Sequence, residues 1–127
     1  MTKSRYVVAM ARGTLVIDEN VEALAPELEK LNIRVVRIPK GTSDPEIMKN
    51  YAANRILVTN NVDDFRAYAS SFDMGIIGVS KASMANAAKL AKRISDIIIK
   101  QRLWSIRHGF LLMIPASGRS TFTALTE

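Results

Sequence analysis

Short apolar runs rich in β-branched residues alternate along the chain with segments of helical periodicity. Four such runs, residues 14–17, 33–38, 56–59 and 75–79, are bounded by polar or turn residues, which is typical of strands. Residues 110–114 and 120–125, joined by 115–118, predict a closing β-hairpin. Strands that alternate with helices predict an α/β sandwich around a mostly parallel sheet.

The intervening segments predict helices over about residues 21–31, 45–53, 63–70 and 81–102. In the first, Pro26 indicates either that the helix begins there or that it is kinked. In the last, small and apolar residues form a stripe expected to face the core: Met84, Ala87, Ala88, Ala91, Ile94 and Ile98.

Length and composition limit the chemistry. The 127 residues fit one domain, and the absence of a candidate linker or repeat agrees with that. The chain has no cysteine and one histidine, His108, which excludes thiol nucleophiles, disulfides and Cys/His zinc sites. Any metal chemistry must therefore use oxygen ligands.

Charge is distributed unevenly. Residues 1–65 carry nine basic and nine acidic side chains, whereas residues 66–127 carry nine basic and three acidic ones, which accounts for the net charge of +6. A basic surface beside an acidic cluster suits a polyanion that is held while one of its groups is attacked near a metal. Solubility alone is an equally simple interpretation of the positive charge.

The chain is expected to be soluble. No run approaches the roughly 18 apolar residues needed to span a bilayer. An apolar run that starts at Tyr6 stops at Arg12, before it reaches the length of about 7 to 15 residues of a signal-peptide core. We therefore expect a cytoplasmic protein.

Carboxylates follow the first three predicted strands. Asp18 and Glu19 follow the first strand, Asp44 and Glu46 lie beyond the second, and Asn61, Asp63 and Asp64 follow the third. Loops at the carboxyl ends of parallel strands share one edge of the sheet, where such folds bind ligands. Carboxylate oxygens are the ligands that Mg²⁺ and Mn²⁺ prefer, so the pattern predicts a metal site there.

Each of these residues also has a structural interpretation. Residues 43–46 fit a capping box, and Asp44 before Pro45 fits an N-cap. Asp63 and Asp64 at a helix start would interact favourably with the helix dipole. Asp18 is the strongest single candidate, because a carboxylate at the end of an apolar strand lies near a buried edge and needs a partner.

Several of these segments together resemble the PIN domain. They are Asp18-Glu19-Asn20 after the first strand, residues 43–47 opening a helix, and residues 56–59 before Asn61, Asp64 and Phe65. More narrowly, the chain resembles short PIN-like proteins related to the toxin nucleases of toxin-antitoxin pairs. The likeness extends from Gly13 through residues 109–115, Gly118 and Arg119, and leaves residues 1–12 as an N-terminal extension.

The resemblance implies a three-layer α/β/α fold and Mg²⁺- or Mn²⁺-dependent hydrolysis of RNA. By position, Asp18 would be the first metal carboxylate, Asp44 or Glu46 the second, and Asp64 with Asn61 the third group. A cognate antitoxin protein and a homo-oligomer are the implied partners besides RNA. The chain departs from the family pattern where Asn61 is neutral and where Ser80 and Lys81, instead of an acid, follow the fourth strand.

The basic half supplies the candidates for holding RNA. On the last predicted helix, Lys89, Lys92, Arg93 and Lys100 lie broadly on one face, although a solvated polar face opposite the core stripe explains them too. The full set of candidate substrate-binding residues is Thr59, Lys81, Lys89, Lys92, Arg93 and Arg119. Trp104 and His108 could stack on bases, but core packing and a loop position are the simpler interpretations.

Two other functions fit parts of the pattern. A catalytically silent PIN-like module would bind RNA or a protein without cleaving it. A phosphoreceiver domain would have residues such as Asp18, Glu19, Thr59 and Lys81 near one edge of the sheet. The third strand, however, ends in Thr59 and Asn60 instead of an acceptor Asp.

Overall fold

A six-stranded sheet organises the protein, whose computed structural model describes residues 13–106 and 108–125. The predicted extension, residues 1–12, lies outside this part. The strands are β1 (Thr14–Ile17), β2 (Arg34–Arg37), β3 (Ile56–Thr59), β4 (Gly75–Val79), β5 (Phe110–Ile114) and β6 (Thr121–Ala124). Their order across the sheet is β2-β1-β3-β4-β5-β6. The first five are parallel and β6 is antiparallel to β5, which confirms a mostly parallel α/β sheet.

The central strands are buried along their whole length. All residues of β1, β3 and β4 are buried, whereas β2 at the edge of the sheet is partly exposed. A parallel strand that is covered on both faces needs apolar residues at every position, whereas a half-exposed strand alternates apolar and polar residues. The sequences of β1, β3 and β4 are nearly continuous apolar runs. The predicted bounds of β1, β3, β4 and β5 are confirmed, and β2 is shorter by one residue at each end.

Helices connect the strands. They are α1 (Leu24–Lys30), preceded by a 3₁₀ turn at Glu19–Val21; α2 (Asp44–Glu46), continued by a π-helical segment at Ile47–Ala52; α3 (Asp63–Arg66); and α4 (Ala87–Lys100). Pro26 lies in the first turn of α1, where backbone N–H groups have no partner within the helix. The proline is therefore accommodated two residues after the start of α1.

The predicted continuous helix over residues 81–102 is wrong. A 3₁₀ helix spans Ala82–Asn86, and α4 begins only after it. Asn86 leaves the helical conformation (φ −132°, ψ 80°), and its Oδ1 accepts a hydrogen bond from the Lys89 N–H at 3.1 Å. Because Asn86 caps α4 in this way, the 3₁₀ helix ends at Asn86 and a separate helix begins after it. Ala88 is consequently exposed, while Ala91, Ile94 and Ile98 face the core as expected.

Apolar residues from the sheet form two clusters, one on each face. The first joins α1 and α4 through Leu24, Leu28, Leu90 and Ile94. The second joins the π-helical segment and the α3 region through Ile47, Met48 and Phe65. Helices therefore lie on both sides of the sheet, which is consistent with an α/β/α layering.

The C-terminal strands complete the core. Phe110, Leu111 and Leu112 are buried within it, so these side chains are not available for a contact between copies of the chain. Phe122 of β6 instead lies partly exposed, with its ring stacked on Phe110 at a centroid distance of 5.5 Å. Within the described ranges, no helix combines the length and the hydrophobicity required to cross a bilayer.

Close packing between Gly75 and Phe110, which are register partners on β4 and β5, generates a prediction. A Cβ at residue 75 would lie 2.2 Å from Cζ of the buried Phe110 ring. Gly75→Ala should therefore lower the free energy of unfolding by about 1–3 kcal/mol through overpacking. In a urea-unfolding double-mutant cycle, Phe110→Leu should make Gly75→Ala less costly. Gly41→Ala, at a position with open space around it, should be additive with Phe110→Leu; strict additivity of both pairs would contradict the steric explanation.

Candidate acidic site at the carboxyl edge

Asp18 is a buried carboxylate at the end of β1. It is 6% exposed, and its backbone N–H donates to the carbonyl of Val58 on neighbouring β3 at 3.1 Å. Thr59 donates its hydroxyl to Asp18 Oδ2 at 2.7 Å. A buried carboxylate needs such a donor, and the adjacency of parallel strands β1 and β3 supplies it from 41 residues away.

Thr59 is held on both sides. Its hydroxyl donates to Asp18 and accepts a hydrogen bond from the Asn61 backbone N–H at 3.0 Å. The residue has no exposed surface. We therefore assign Thr59 a positioning role through Asp18 instead of the direct contact with substrate that the sequence suggested.

Asn61 connects this buried pair to Asp64. The Asn61 side-chain amide donates to Asp64 Oδ2, and the Asp64 N–H donates to the Asn61 carbonyl at 3.3 Å. Both residues are exposed, and Asp64 lies in the first turn of α3. Asp18, Thr59, Asn61 and Asp64 thus form one connected set at the carboxyl ends of β1 and β3.

Asp44 brings a third segment of the chain to this edge. Ser43 is the N-cap of α2, and its Oγ accepts from the Glu46 N–H at 3.4 Å, so Asp44 is not needed as the cap. Partial desolvation raises the pKa of Asp44, and the negative charges of Asp64 and Asp18 raise it further. Asp18 and Asp64, both distant from Asp44 in sequence, therefore lie within electrostatic reach of it.

Glu46 and Asp63, also predicted as metal ligands, are placed differently. Both are exposed, and neither is among the causes of the raised pKa of Asp44. Asp63 lines two shallow cavities together with Arg66, beside β5 and β6. Across residues 13–106 and 108–125, no three Asp, Glu or His side chains are grouped closely enough to hold a metal ion.

The predicted basic face of the last helix is divided in the structure. Lys92 forms an ion pair with Asp96 at 2.7 Å. Arg93 donates through Nη1 to the Pro115 carbonyl at 2.8 Å and through Nη2 to the Gly118 carbonyl, so it fastens the β5–β6 connection to α4. Lys89 and Arg119 line cavities on either side of Arg93, and Lys81 is exposed directly after β4.

Trp104 and His108 occupy the simpler of the positions that the sequence predicts for them. Trp104 is half-buried against the core, which agrees with its packing interpretation, and His108 is exposed. Tyr68 is exposed, and so is Phe122 of β6, with 42% of its surface accessible. It is opposite Leu112 in the antiparallel pair, so the two side chains share the face that packs on α4. Sequence reasoning placed Phe122 in a strand but had no signal for its exposure.

Comparison with protein-family models, with curated proteins and with solved structures finds no match for this chain.

The raised pKa of Asp44 generates a stability prediction. When folding raises the pKa of a carboxyl, the folded state binds more protons, so stability falls as pH rises through the interval above the ordinary Asp value of about 3.9. Asp44→Asn removes this unfavourable charge. The variant should therefore be at least as stable as wild type at pH 7, with the difference vanishing below about pH 3.

Urea unfolding of both proteins from pH 3 to 7 measures this difference. Glu22→Gln, which removes an exposed carboxylate that does not contribute to the raised pKa of Asp44, serves as the matched control. If Asp44→Asn were less stable than wild type by the same amount at pH 7 and at pH 3, Asp44 would have a structural role instead.

Proposed function

We propose that this protein is a PIN-like, Mg²⁺- or Mn²⁺-dependent ribonuclease of the type related to toxin-antitoxin nucleases. The observation that carries the proposal is the convergence of three loops at one edge: Asp18 and Asp64 belong to one hydrogen-bonded set, and the charges of both act on Asp44. Like charges gathered without structural need are common at functional sites, because a bound cation stabilises them. The mostly parallel sheet agrees with the fold that the resemblance implies.

The donor set fits a hard divalent cation. Mg²⁺ is usually bound by one or two carboxylates and keeps several waters, so it does not require a preformed cage of three acidic ligands. Because the described residues contain no close group of three such side chains, Asp44 and Asp64 would hold the ion, and the Asp18 oxygen that does not accept from Thr59 would reach it through a bound water. Such an ion would activate a water and stabilise negative charge on the phosphate.

The chain's own residues prepare this edge. Thr59 fixes the rotamer of Asp18, and the Asn61 N–H fixes the Thr59 hydroxyl. The Asn61 side chain holds Asp64. Because these hydrogen bonds already fix the side chains, the carboxylate oxygens of Asp18 and Asp64 would lose little side-chain entropy when a metal ion binds.

A catalytically silent PIN-like module that binds RNA or protein is the second candidate. Two observations favour it. Asn61 contributes a neutral amide where a further carboxylate would strengthen a metal site, and the described residues contain no close group of three metal-binding side chains. A cognate antitoxin, a homo-oligomeric state and a cytoplasmic location belong to the proposal in either form.

Calorimetric titration with Mn²⁺ separates the two candidates. We expect wild type to bind Mn²⁺ and to cleave a single-stranded RNA only when the metal is present. Asp18→Asn should lose at least about tenfold in both, because removing one carboxylate weakens a site that has few. Glu22→Gln should match wild type. Equal heats for wild type and Asp18→Asn, or no heat for either, would exclude the nuclease and leave the binding module.

Asn61→Asp tests the same edge by adding a charge. Without metal, the new carboxylate faces Asp64 in place of an amide donor, so the melting temperature should fall. With saturating Mn²⁺ the variant should recover that loss and gain more stability from the ion than wild type does. A melting temperature that Mn²⁺ leaves unchanged in both proteins would contradict a metal site here.

A further inference from the structure

We propose that a groove between α4 and the β5–β6 connection is the path of single-stranded RNA across this protein. That the bound polymer is RNA rests on the proposed function. The groove, which we call the α4 groove, is defined by four cations: Lys89, Arg93, Lys100 and Arg119. It consists of two cavities that share Arg93. The Phe122 ring belongs to the same side of the sheet.

The first cavity opens at the carboxyl edge of the sheet. It has a volume of about 230 Å³ and is lined by Ser83 and Asn86 before α4, by Lys89 and Arg93 on it, and by Ala116 after β5. No carboxylate lines it. Its volume is below the roughly 300 Å³ of small-molecule sites, so it suits a phosphate with part of its sugar better than a whole nucleotide.

The second cavity continues from Arg93 along α4. It has a volume of about 590 Å³ and includes Lys100, Arg119 and Ser120. The carboxylate in its lining, Asp96, is already paired with Lys92 at 2.7 Å. The ion pairs within the described part of the chain involve none of the four groove cations, so the groove keeps its positive charge.

Arg93 is preorganised at the junction of the two cavities. Its bonds to the Pro115 and Gly118 carbonyls fix the guanidinium and use two of its five N–H donors. A cation that is held in place by the fold loses little entropy when it contacts a phosphate. Arg93 therefore has a structural and a binding role, and Lys89 is the better residue to substitute in a test.

The groove is long enough for several nucleotides of single-stranded RNA and is longer than a single bound anion. Lys89 and Lys100 are eleven residues apart on α4, about 16 Å along a helix. At about 3.4 Å per phosphate this length spans at most four or five nucleotides. β1 and β4 are two strands apart in the sheet, about 10 Å, and the residues that line the first cavity follow β4 and β5.

Phe122 distinguishes a nucleic acid from other polyanions. Single-stranded nucleic acids bind where cations follow the backbone and an aromatic side chain stacks on a base. The ring of Phe122 is supported from one direction by Phe110 and is 42% exposed. An acidic protein would use the cations but would gain little from a stacking ring.

Fluorescence anisotropy with a labelled 12-nucleotide single-stranded RNA tests the groove. All variants carry Asp18→Asn and are measured in EDTA, so neither metal nor cleavage contributes. Lys89→Gln should weaken binding several-fold and reduce the dependence of log K on log salt by about 0.7, the value for one phosphate contact on a single strand. Lys49→Gln removes the same charge from the π-helical segment, outside the groove lining, and it should leave the affinity within about twofold.

Phe122→Leu keeps an apolar side chain on Phe110 but removes the stacking ring, and it should weaken binding by about fivefold or more, whereas Phe122→Tyr should retain it. Equal losses for Lys89→Gln and Lys49→Gln would overturn the proposal, because charge alone would then account for binding. No loss with Phe122→Leu, together with equally tight binding of poly-glutamate, would assign the groove to an acidic protein.

These outcomes are independent of the metal chemistry. Groove-dependent RNA binding without any Mn²⁺ heat would support the α4 groove while refuting the nuclease. Lys89→Gln and Phe122→Leu are also made singly, with Asp18 retained. Mn²⁺ binding and RNA cleavage that are unchanged in these single variants would support the nuclease while refuting this RNA path.

Discussion

The burial of the Asp18 carboxylate against Thr59 is the interaction on which the acidic edge depends. Burying a carboxylate is costly unless hydrogen bonds satisfy it, and here the donor comes from the neighbouring parallel strand. Parallel pairing of β1 with β3 therefore does more than complete the sheet, because it brings the ends of two distant strands to the same place. The remaining polar contacts of the edge, through Asn61 to Asp64, extend outward from that buried pair.

Opposite charges are kept apart by this arrangement. Asp18, Asp44 and Asp64 lie beyond β1, β2 and β3, while the groove cations lie on α4 and beyond β5. Asp96, the carboxylate in the groove lining, is paired with Lys92. If the acidic and basic groups paired directly, neither could act on a phosphate or a metal, so their separation across the sheet edge is consistent with a polyanion that contacts both.

Much of the fold could be predicted from the sequence because its signals are local. The strand runs at residues 14–17, 56–59 and 75–79 need only a continuous apolar composition to be recognised, and they were confirmed. The break at Asn86 was missed because an asparagine inside a helical pattern is ambiguous until its side chain is seen to cap the next turn. The rule that loops share the carboxyl edge was enough to group Asp18, Asp44 and Asp64.

Long-range contacts are what the sequence could not supply. Arg93 looked like one more cation on a solvated face, yet its partners are carbonyl groups 22 and 25 residues away, which no periodicity on α4 could reveal. The same contacts decide where the basic groove lies, because they hold the β5–β6 connection against α4 and so create a wall for both cavities. Arg93 therefore both builds the groove and lines it. A count of charges can locate the basic half of the chain, but only these long-range contacts show where an RNA strand could cross it.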